Sequence, residues 1–135
     1  MALQFSVAVR NARLDSIESV TGTSAILKIR SGSAPSSCAG ADTGTVLATL
    51  TLASDWMAAA SGGTKTFLGT WSDTSADASG TAAHFRLYDS AGTTCHMQGT
   101  VTATGGGGDM TVDTVTFTAG QTFTITAFTL TAGGA

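Results

Sequence analysis

Residues 81–102, TAAHFRLYDSAGTTCHMQGTVT, predict a β-hairpin and with it a β-rich fold. Small or apolar side chains alternate with polar ones on both sides of a turn at residues 90–92. Such alternation is typical of half-buried antiparallel strands. A three-residue loop with Gly92 in the left-handed conformation closes a hairpin of this kind.

This loop sets the predicted register, with Phe85 opposite Met97 and Leu87 opposite Cys95. The apolar residues then share one face, which we expect to line the core. The other face is polar and is expected to point to solvent. Its members are His84, Arg86, His96 and Gln98.

The first twenty residues contain the clearest helix signal. Val7, Leu14 and Ile17 recur near helical spacing within residues 6–20, with charged residues mostly on other faces, and Gly22 is placed to end the helix. The apolar positions admit two interpretations. The helix packs on the sheet, which we prefer, or it docks on a neighbouring subunit.

Period-two patterns predict further strands at residues 25–30, 45–52 and 65–71 and in the segments that follow residue 108. Between the second and third of these, residues 54–60 predict one or two helical turns with Ser54 as N-cap.

In the last quarter of the chain the phase of the alternation slips twice, between Val112 and Val115 and between Ala127 and Phe128. Such slips indicate β-bulges or corners. Seven to eight strands at this spacing predict an all-β chain, an antiparallel two-sheet β-sandwich or jelly roll with one short N-terminal α-helix. The length of 135 residues fits one domain, with a helical segment at 1–22 and a β-sandwich at 23–135.

The composition is poor in charge. Only 11% of residues are charged, the net charge is −3, and the six Lys and Arg residues are scattered. The polar share comes instead from about 25 threonines, which suit pleated surfaces. We therefore expect no nucleic-acid partner, and a surface so poor in charge suggests that much of it is covered in the working state.

Targeting signals are not expected either. The longest apolar runs are far shorter than a membrane span needs, so no membrane partner is predicted. The opening residues lack the basic and apolar regions of a signal peptide, which predicts synthesis in the cytoplasm. Cys38 and Cys95 show no metal-ligand spacing. We expect two reduced thiols, with a disulfide between the two segments as the alternative.

No catalytic, cofactor or metal residue is predicted. His84 and His96 would lie diagonally on one face, but two ligands do not complete a zinc site and Cys95 would point the opposite way. The run at residues 105–108 is followed by a strand pattern instead of a helix, which favours a connection over a phosphate loop.

Aspartates and tryptophans were the other candidates. The aspartates stand mostly singly at turn positions, where they bond the local backbone, without the spacing of a calcium loop. Trp56 and Trp71 could stack on sugars, but packing in the core or at an interface is preferred. An adhesion module would need Trp56, Trp71 or Tyr88 in an exposed row.

Four stretches resemble a family of small proteins encoded in the structural gene clusters of tailed phages and prophages. These are AVRNARLDSIESVTGTSAILKIRSG (8–32), TVLATLTLASDWMAAAS (45–61), GTAAHFRLYDSAGTTCHMQGTV (80–101) and QTFTITAFTLTAGGA (121–135). The resemblance covers nearly the whole chain. It implies a virion component without enzymatic activity, and it transfers no functional residue.

Within that class, a small Thr-, Gly- and Ala-rich jelly-roll-like chain is similar to capsid cement or decoration proteins. Such a protein would bind the junctions of the major capsid protein, would need no cofactor, and would form a dimer or trimer. The alternatives are a tail, neck or fibre-attachment subunit and, behind them, a carbohydrate-binding adhesion module.

Overall fold

A computed structural model describes residues 2–135, which contain one helix and nine strands. The helix α1 spans Val7–Thr21. The strands are β1 Ile26–Ser31, β2 Val46–Thr51, β3 Thr64–Thr66, β4 Ser72–Asp73, β5 Gly80–Tyr88, β6 Cys95–Ala103, β7 Met110–Val112, β8 Thr116–Phe117 and β9 Phe123–Thr131.

The helix forms where the sequence predicts it. Ser6 is the N-cap, and its side chain accepts a hydrogen bond from the backbone N–H of Val9. Gly22 caps the other end with a φ of 90°, a conformation that favours glycine, and its N–H donates to the Glu18 carbonyl. Both predicted ends are therefore confirmed to within one residue.

The strands form one curled, mixed sheet in the order β2-β1-β5-β6-β7-β9-β3, with β4 paired to β9 and β8 paired to β5. The prediction of an all-β chain with one short N-terminal helix is confirmed. The prediction that all strands are antiparallel is wrong, because β6 and β7 are parallel.

The parallel pair depends on the glycine run at residues 105–108. Parallel neighbours usually need a crossover of a dozen or more residues, whereas only six residues join Ala103 to Met110. The chain fits because Gly106 has no Cβ, since an added Cβ there would lie 2.7 Å from Cβ of Thr102. The connection is also held by the Gly108 N–H, which donates to Thr102 Oγ1 at 3.0 Å. The run is a tight connection that brings the chain back so that β7 runs in the same direction as β6. A strand follows it, as predicted.

The predicted phase slips have two different causes. In β9 the register against β7 shifts, with Thr111 opposite Ala127 and Val112 opposite Ile125, which leaves an extra residue as a β-bulge. The slip after Val112 marks a change of partner, since the chain leaves β9 and pairs β8 with β5.

Residues 54–60 do not form the helical turns predicted for them. The backbone is extended, with Met57 in a bridge to Phe67 and the Ala58 N–H donating to the Thr66 carbonyl at 3.0 Å. Burial of Trp56 and Met57 overrides the local helix propensity. The predicted strand at 65–71 is correspondingly shorter, because regular pairing in β3 ends at Thr66.

The core is one continuous cluster inside the curl of the sheet. Phe85 of β5 meets Phe128 of β9 edge to face, with ring centroids 5.4 Å apart. Trp71 packs between Trp56, Phe67 and Phe128 at centroid distances of 5.3–6.2 Å. The prediction that Trp56 and Trp71 serve packing is confirmed, since both are buried.

Candidate functional site

The polar face of the hairpin is buried along β5, contrary to the prediction that it points to solvent, while His96 and Gln98 on β6 are of intermediate exposure. His84 and Arg86 are each 1% exposed. The loop that joins β1 to β2, residues 32–45, lies over this face, and we call it the covering loop. Its free carbonyl groups need donors, and the long polar side chains of β5 supply them.

Arg86 is the centre of these contacts. Its Nη2 donates to the Cys38 carbonyl at 2.8 Å, its Nη1 to the Gly40 carbonyl at 3.1 Å and to Asp42, and its Nε to Sγ of Cys95 at 3.3 Å. One guanidinium therefore binds three positions of the covering loop and the start of β6. The fork of five N–H donors makes arginine suited to this role.

Asp42 completes what we call the Arg86 cluster, which comprises Arg30, Asp42, Arg86 and Tyr88. Its carboxylate accepts hydrogen bonds from Arg86, from Arg30 Nη2 at 2.9 Å and from the Tyr88 hydroxyl at 2.6 Å. Burial opposes ionisation, but the Tyr88 hydroxyl and the two guanidinium groups together lower the pKa of Asp42. Burial and then the bond to Asp42 raise the pKa of Tyr88 to about 12.

This arrangement does not favour acid–base catalysis. General acid–base catalysis favours groups with a pKa near the working pH, and the pKa values of Asp42 and Tyr88 are moved away from neutrality in opposite directions. What the cluster does in the structure is hold the covering loop on the hairpin.

The two histidines do not meet. The structure pairs Leu87 with Met97 and Phe85 with Gly99, so the predicted hairpin register is wrong by two residues. His84 lies opposite Thr100, while His96 occupies a bulge near Tyr88 at the other end of β6. Among residues 2–135, no group of three or more His, Cys, Asp or Glu residues is placed to hold a metal ion.

The same bulge corrects the predicted direction of Cys95. Leu87 pairs with Met97, but the next pair is Tyr88 with Cys95, so one residue of β6 is skipped. A single extra residue moves a side chain to the other face of a strand. Cys95 therefore shares the polar face with Arg86, and both cysteines are free thiols.

A second cluster around a buried cation joins α1 to the sheet, and the sequence did not predict it. Lys65 is 2% exposed, and its Nζ contacts Asp15 at 2.8 Å, Glu18 at 3.0 Å and the Ala58 carbonyl at 2.9 Å. We call Lys65, Asp15 and Glu18 the Lys65 cluster. In the sequence, Lys65 fits the alternation of a short strand. The signal that could have revealed its partners is the spacing of three residues between Asp15 and Glu18 in the helix.

The helix carboxylates also bind backbone N–H groups of the extended segment before β3. Asp15 accepts from Ala60 at 2.9 Å, and Glu18 accepts from Met57 at 3.2 Å. The hydrogen bond from Lys65 is the main cause that lowers the pKa of Asp15. For Glu18, burial acts in the opposite direction, but Lys65 and the Met57 N–H lower its pKa on balance.

A cavity of about 490 Å³ opens beside the Lys65 cluster. Asp55 lines it and hydrogen-bonds with Glu18, which raises the pKa of Asp55. Lys65 is fully engaged by the two other carboxylates and a carbonyl.

The predicted interpretation that α1 packs on the sheet is confirmed, but the contact is largely polar. Leu14 is its buried apolar residue, with Ile17 partly buried. Val9 and Val20 remain 44% and 70% exposed. The expected apolar seam between helix and sheet is thus replaced by carboxylates on backbone amides and on Lys65.

Exposed apolar side chains concentrate before and within the first turn of α1. Six large apolar residues are exposed among residues 2–135, and four of them lie within seven consecutive positions. We call these four together the N-terminal apolar surface: Leu3, Phe5, Val7 and Val9, at 77%, 38%, 47% and 44%. The segment is held in place, because the Phe5 N–H donates to the Gly134 carbonyl at 2.7 Å and Arg13 lies over the Phe5 ring.

The other aromatic and acidic residues considered as site candidates serve packing and turns. Trp56, Trp71 and Tyr88 are all at most 3% exposed, so these three form no exposed aromatic row. Three aspartates bond the local backbone at turns as predicted, whereas Asp42 binds Arg30, Arg86 and Tyr88 instead. Asp73 accepts from the Ser75 N–H, Asp89 from Thr93 and Thr94, and Asp113 from Thr114.

No protein-family model, curated protein or solved structure matches this chain. Within the described part of the chain, no helix is long and apolar enough to cross a membrane.

Proposed function

We propose that this chain is a non-enzymatic structural subunit of a tailed-phage virion that binds other virion proteins through its N-terminal apolar surface. Within that class we propose a capsid cement or decoration protein, bound at junctions of the major capsid protein. Localisation in the virion, after synthesis in the bacterial cytoplasm, belongs to the same proposal.

The observation that carries the proposal is the distribution of charge and apolar area. Three of the six cationic residues, Arg30, Lys65 and Arg86, are buried and paired with carboxylates. The surface is therefore even poorer in cations than the composition indicates. Charged surfaces oppose association, and here an apolar surface is fixed in place on a molecule with little charge around it.

Binding through this surface needs no chemistry. Burial of apolar side chains contributes roughly 25 cal/mol per Å² removed from water, and a protein that binds only assembled capsid stabilises it by mass action. We propose a dimer or trimer, so that one molecule engages several capsid subunits. The resemblance of most of the chain to phage-encoded proteins supports the choice of partner.

The sandwich-like form of the fold is part of this proposal. Strands that are not neighbours in the curled sheet face each other across the core, as the contact between Phe85 of β5 and Phe128 of β9 illustrates. A compact, rigid body of this form suits a role in which many identical copies must fit identical seams.

The test is the number of copies of this chain per particle. Particles of the phage that encodes it are purified and their proteins quantified by mass spectrometry against labelled peptides. The proposal predicts hundreds of copies, on the scale of the major capsid protein. Six or twelve copies would place the chain in the tail or neck, and absence from the particle would contradict the virion role.

A further inference from the structure

Cys38 and Cys95 are held side by side by one guanidinium group. Nη2 of Arg86 donates to the carbonyl of Cys38 at 2.8 Å, and Nε donates to Sγ of Cys95 at 3.3 Å. Nε and Nη2 are neighbouring donors of a planar, rigid fork. The two contacts therefore place a residue of the covering loop next to the first residue of β6.

The two thiols are partly open to solvent. Both side chains are of intermediate exposure and line a cavity of about 270 Å³. Burial, followed by the neighbouring thiol of Cys95, raises the pKa of Cys38 to about 11. Cys95 Sγ also contacts the carbonyl of Met97 at 3.4 Å. Cys38 is thus present as a thiol at neutral pH, and both cysteines stay reduced in a reducing compartment.

We propose that Cys38 and Cys95 form a disulfide once the protein meets an oxidising solution, and that this bond fixes the covering loop to β6. The oxidant is a low-molecular-weight disulfide such as oxidised glutathione. This inference does not depend on the virion role proposed above, since it concerns only contacts within the chain.

The reaction is two successive thiol–disulfide exchanges. One cysteine, after losing its proton, attacks a glutathione sulfur, forms a mixed disulfide and releases one glutathione thiolate. The second cysteine, deprotonated in turn, attacks the protein sulfur of the mixed disulfide and releases the other. The two protein thiols are oxidised to one disulfide, and one glutathione disulfide is reduced to two glutathione thiols, which take up the protons.

The bond would close a loop of roughly 57 residues, and disulfides across loops of this length restrict the unfolded chain strongly. We expect Tm to rise by roughly 10 °C, because the native contacts around Arg86 already bring the two residues together. Since only the thiolate reacts, closure should be faster at mildly alkaline pH than at neutral pH.

The experiment uses the full chain, purified reduced and then incubated with excess oxidised glutathione at about pH 8.5. The intact mass and the free-thiol content are measured, followed by Tm with and without reductant. The expected result is loss of two hydrogens, loss of both free thiols, a peptide that joins Cys38 to Cys95, and a higher Tm that reductant reverses. The single variants Cys38→Ser and Cys95→Ser are the matched controls and should show no rise in Tm.

Two outcomes would overturn the proposal. Thiols that stay free in the folded protein under these conditions would show that the pair does not close. A mass increase by two glutathione groups would show that each cysteine reacts separately. Neither outcome bears on the copy number of the chain in particles, so failure here is distinguishable from failure of the virion role.

Discussion

The hairpin face under the covering loop and the N-terminal apolar surface are unusual in opposite ways. The first is an interior region that contains charged side chains, and the second is an exterior region that contains large apolar ones. The first buries two arginines and a histidine, while the second exposes four large apolar side chains. A buried charge is tolerated when it is paired and hydrogen-bonded, as Arg86 is by the more exposed carboxylate of Asp42. Exposed apolar clusters have no such internal compensation. The difference separates residues that hold the fold from residues available for a partner.

The largest expected effect comes from Arg86→Met. The substitution replaces arginine with an apolar side chain of similar length and removes the N–H donors that bind Cys38, Gly40 and Asp42. We expect the free energy of unfolding to fall by about 3 kcal/mol, as measured by urea denaturation. Lys28→Met is the control, because Lys28 lies opposite Arg86 in β1 without a buried acidic partner, and it should cost less than about 1 kcal/mol. Equal losses in both variants would contradict the role assigned to Arg86.

Gly44→Ala tests the covering loop independently of its charges. Gly44 has a φ of 70°, and a Cβ there would lie 1.8 Å from the Ser31 carbonyl oxygen. We expect a loss of about 2 to 3 kcal/mol from this backbone clash and the strained φ. Gly32→Ala, at the other end of the same loop, has a φ of 75° but no atom within 4 Å of the added Cβ. It should cost only about 1 kcal/mol, and a similar cost for both would argue against a tightly seated loop.

Acidification should weaken both buried clusters. The pKa values of Asp42, Asp15 and Glu18 are lowered in the folded state, so the unfolded chain binds more protons as the pH falls. Their contribution is complete above the ordinary values of 3.8 for Asp and 4.5 for Glu and is lost as the pH falls through the lower folded values. Asp55, whose pKa is raised, acts in the opposite direction.

The measurement is Tm as a function of pH from 7 to 3 at constant ionic strength. We expect a plateau down to about pH 5 and a decline below it. Asp42→Asn should lower the plateau and make the acid decline shallower, since one of the titrating groups is gone. A wild-type decline that this variant leaves unchanged would mean that Asp42 contributes nothing to it.

The smallest effect on stability is expected at the N-terminal apolar surface. Val9→Asp alters a side chain that is 44% exposed and places an acid in the first turn of α1, where the helix dipole favours it. We expect the free energy of unfolding to change by less than about 0.5 kcal/mol. A loss comparable to that of Arg86→Met would show that this surface holds the fold together and would remove the contrast between the two regions.

Local pattern was enough to predict α1 and its C-cap Gly22, most strands and the bulge in β9, because each depends on residues close in sequence. The hairpin register was predicted wrongly, since β5 ends at Tyr88 and β6 begins at Cys95, so that the connection is longer than three residues, and the bulge at His96 shifts the pairing by one more residue. The parallel β6–β7 pair needed the close approach of Gly106 to Thr102.

The buried clusters were harder still to foresee. Alternation indicates which residues share a face, but it does not show that a loop more than forty positions away covers that face. Arg86 and Lys65 therefore have the pattern of surface residues in the sequence and the surroundings of core residues in the structure. Of the three apolar positions predicted to pack in α1, Leu14 and Ile17 do so, whereas Val7 is 47% exposed, because the other partners of the helix are polar groups distant in sequence.

Incorporation of Val9→Asp into particles tests the central claim most directly. Wild-type chain and variant are supplied together during phage assembly, and their ratio in purified particles is measured by mass spectrometry. Thr129→Asp, an exposed position on β9, serves as the control. We predict that Val9→Asp is depleted by about tenfold or more, because a charge would have to be buried at the contact, while the control enters normally. Incorporation of Val9→Asp in proportion to its supply would contradict binding through the N-terminal apolar surface.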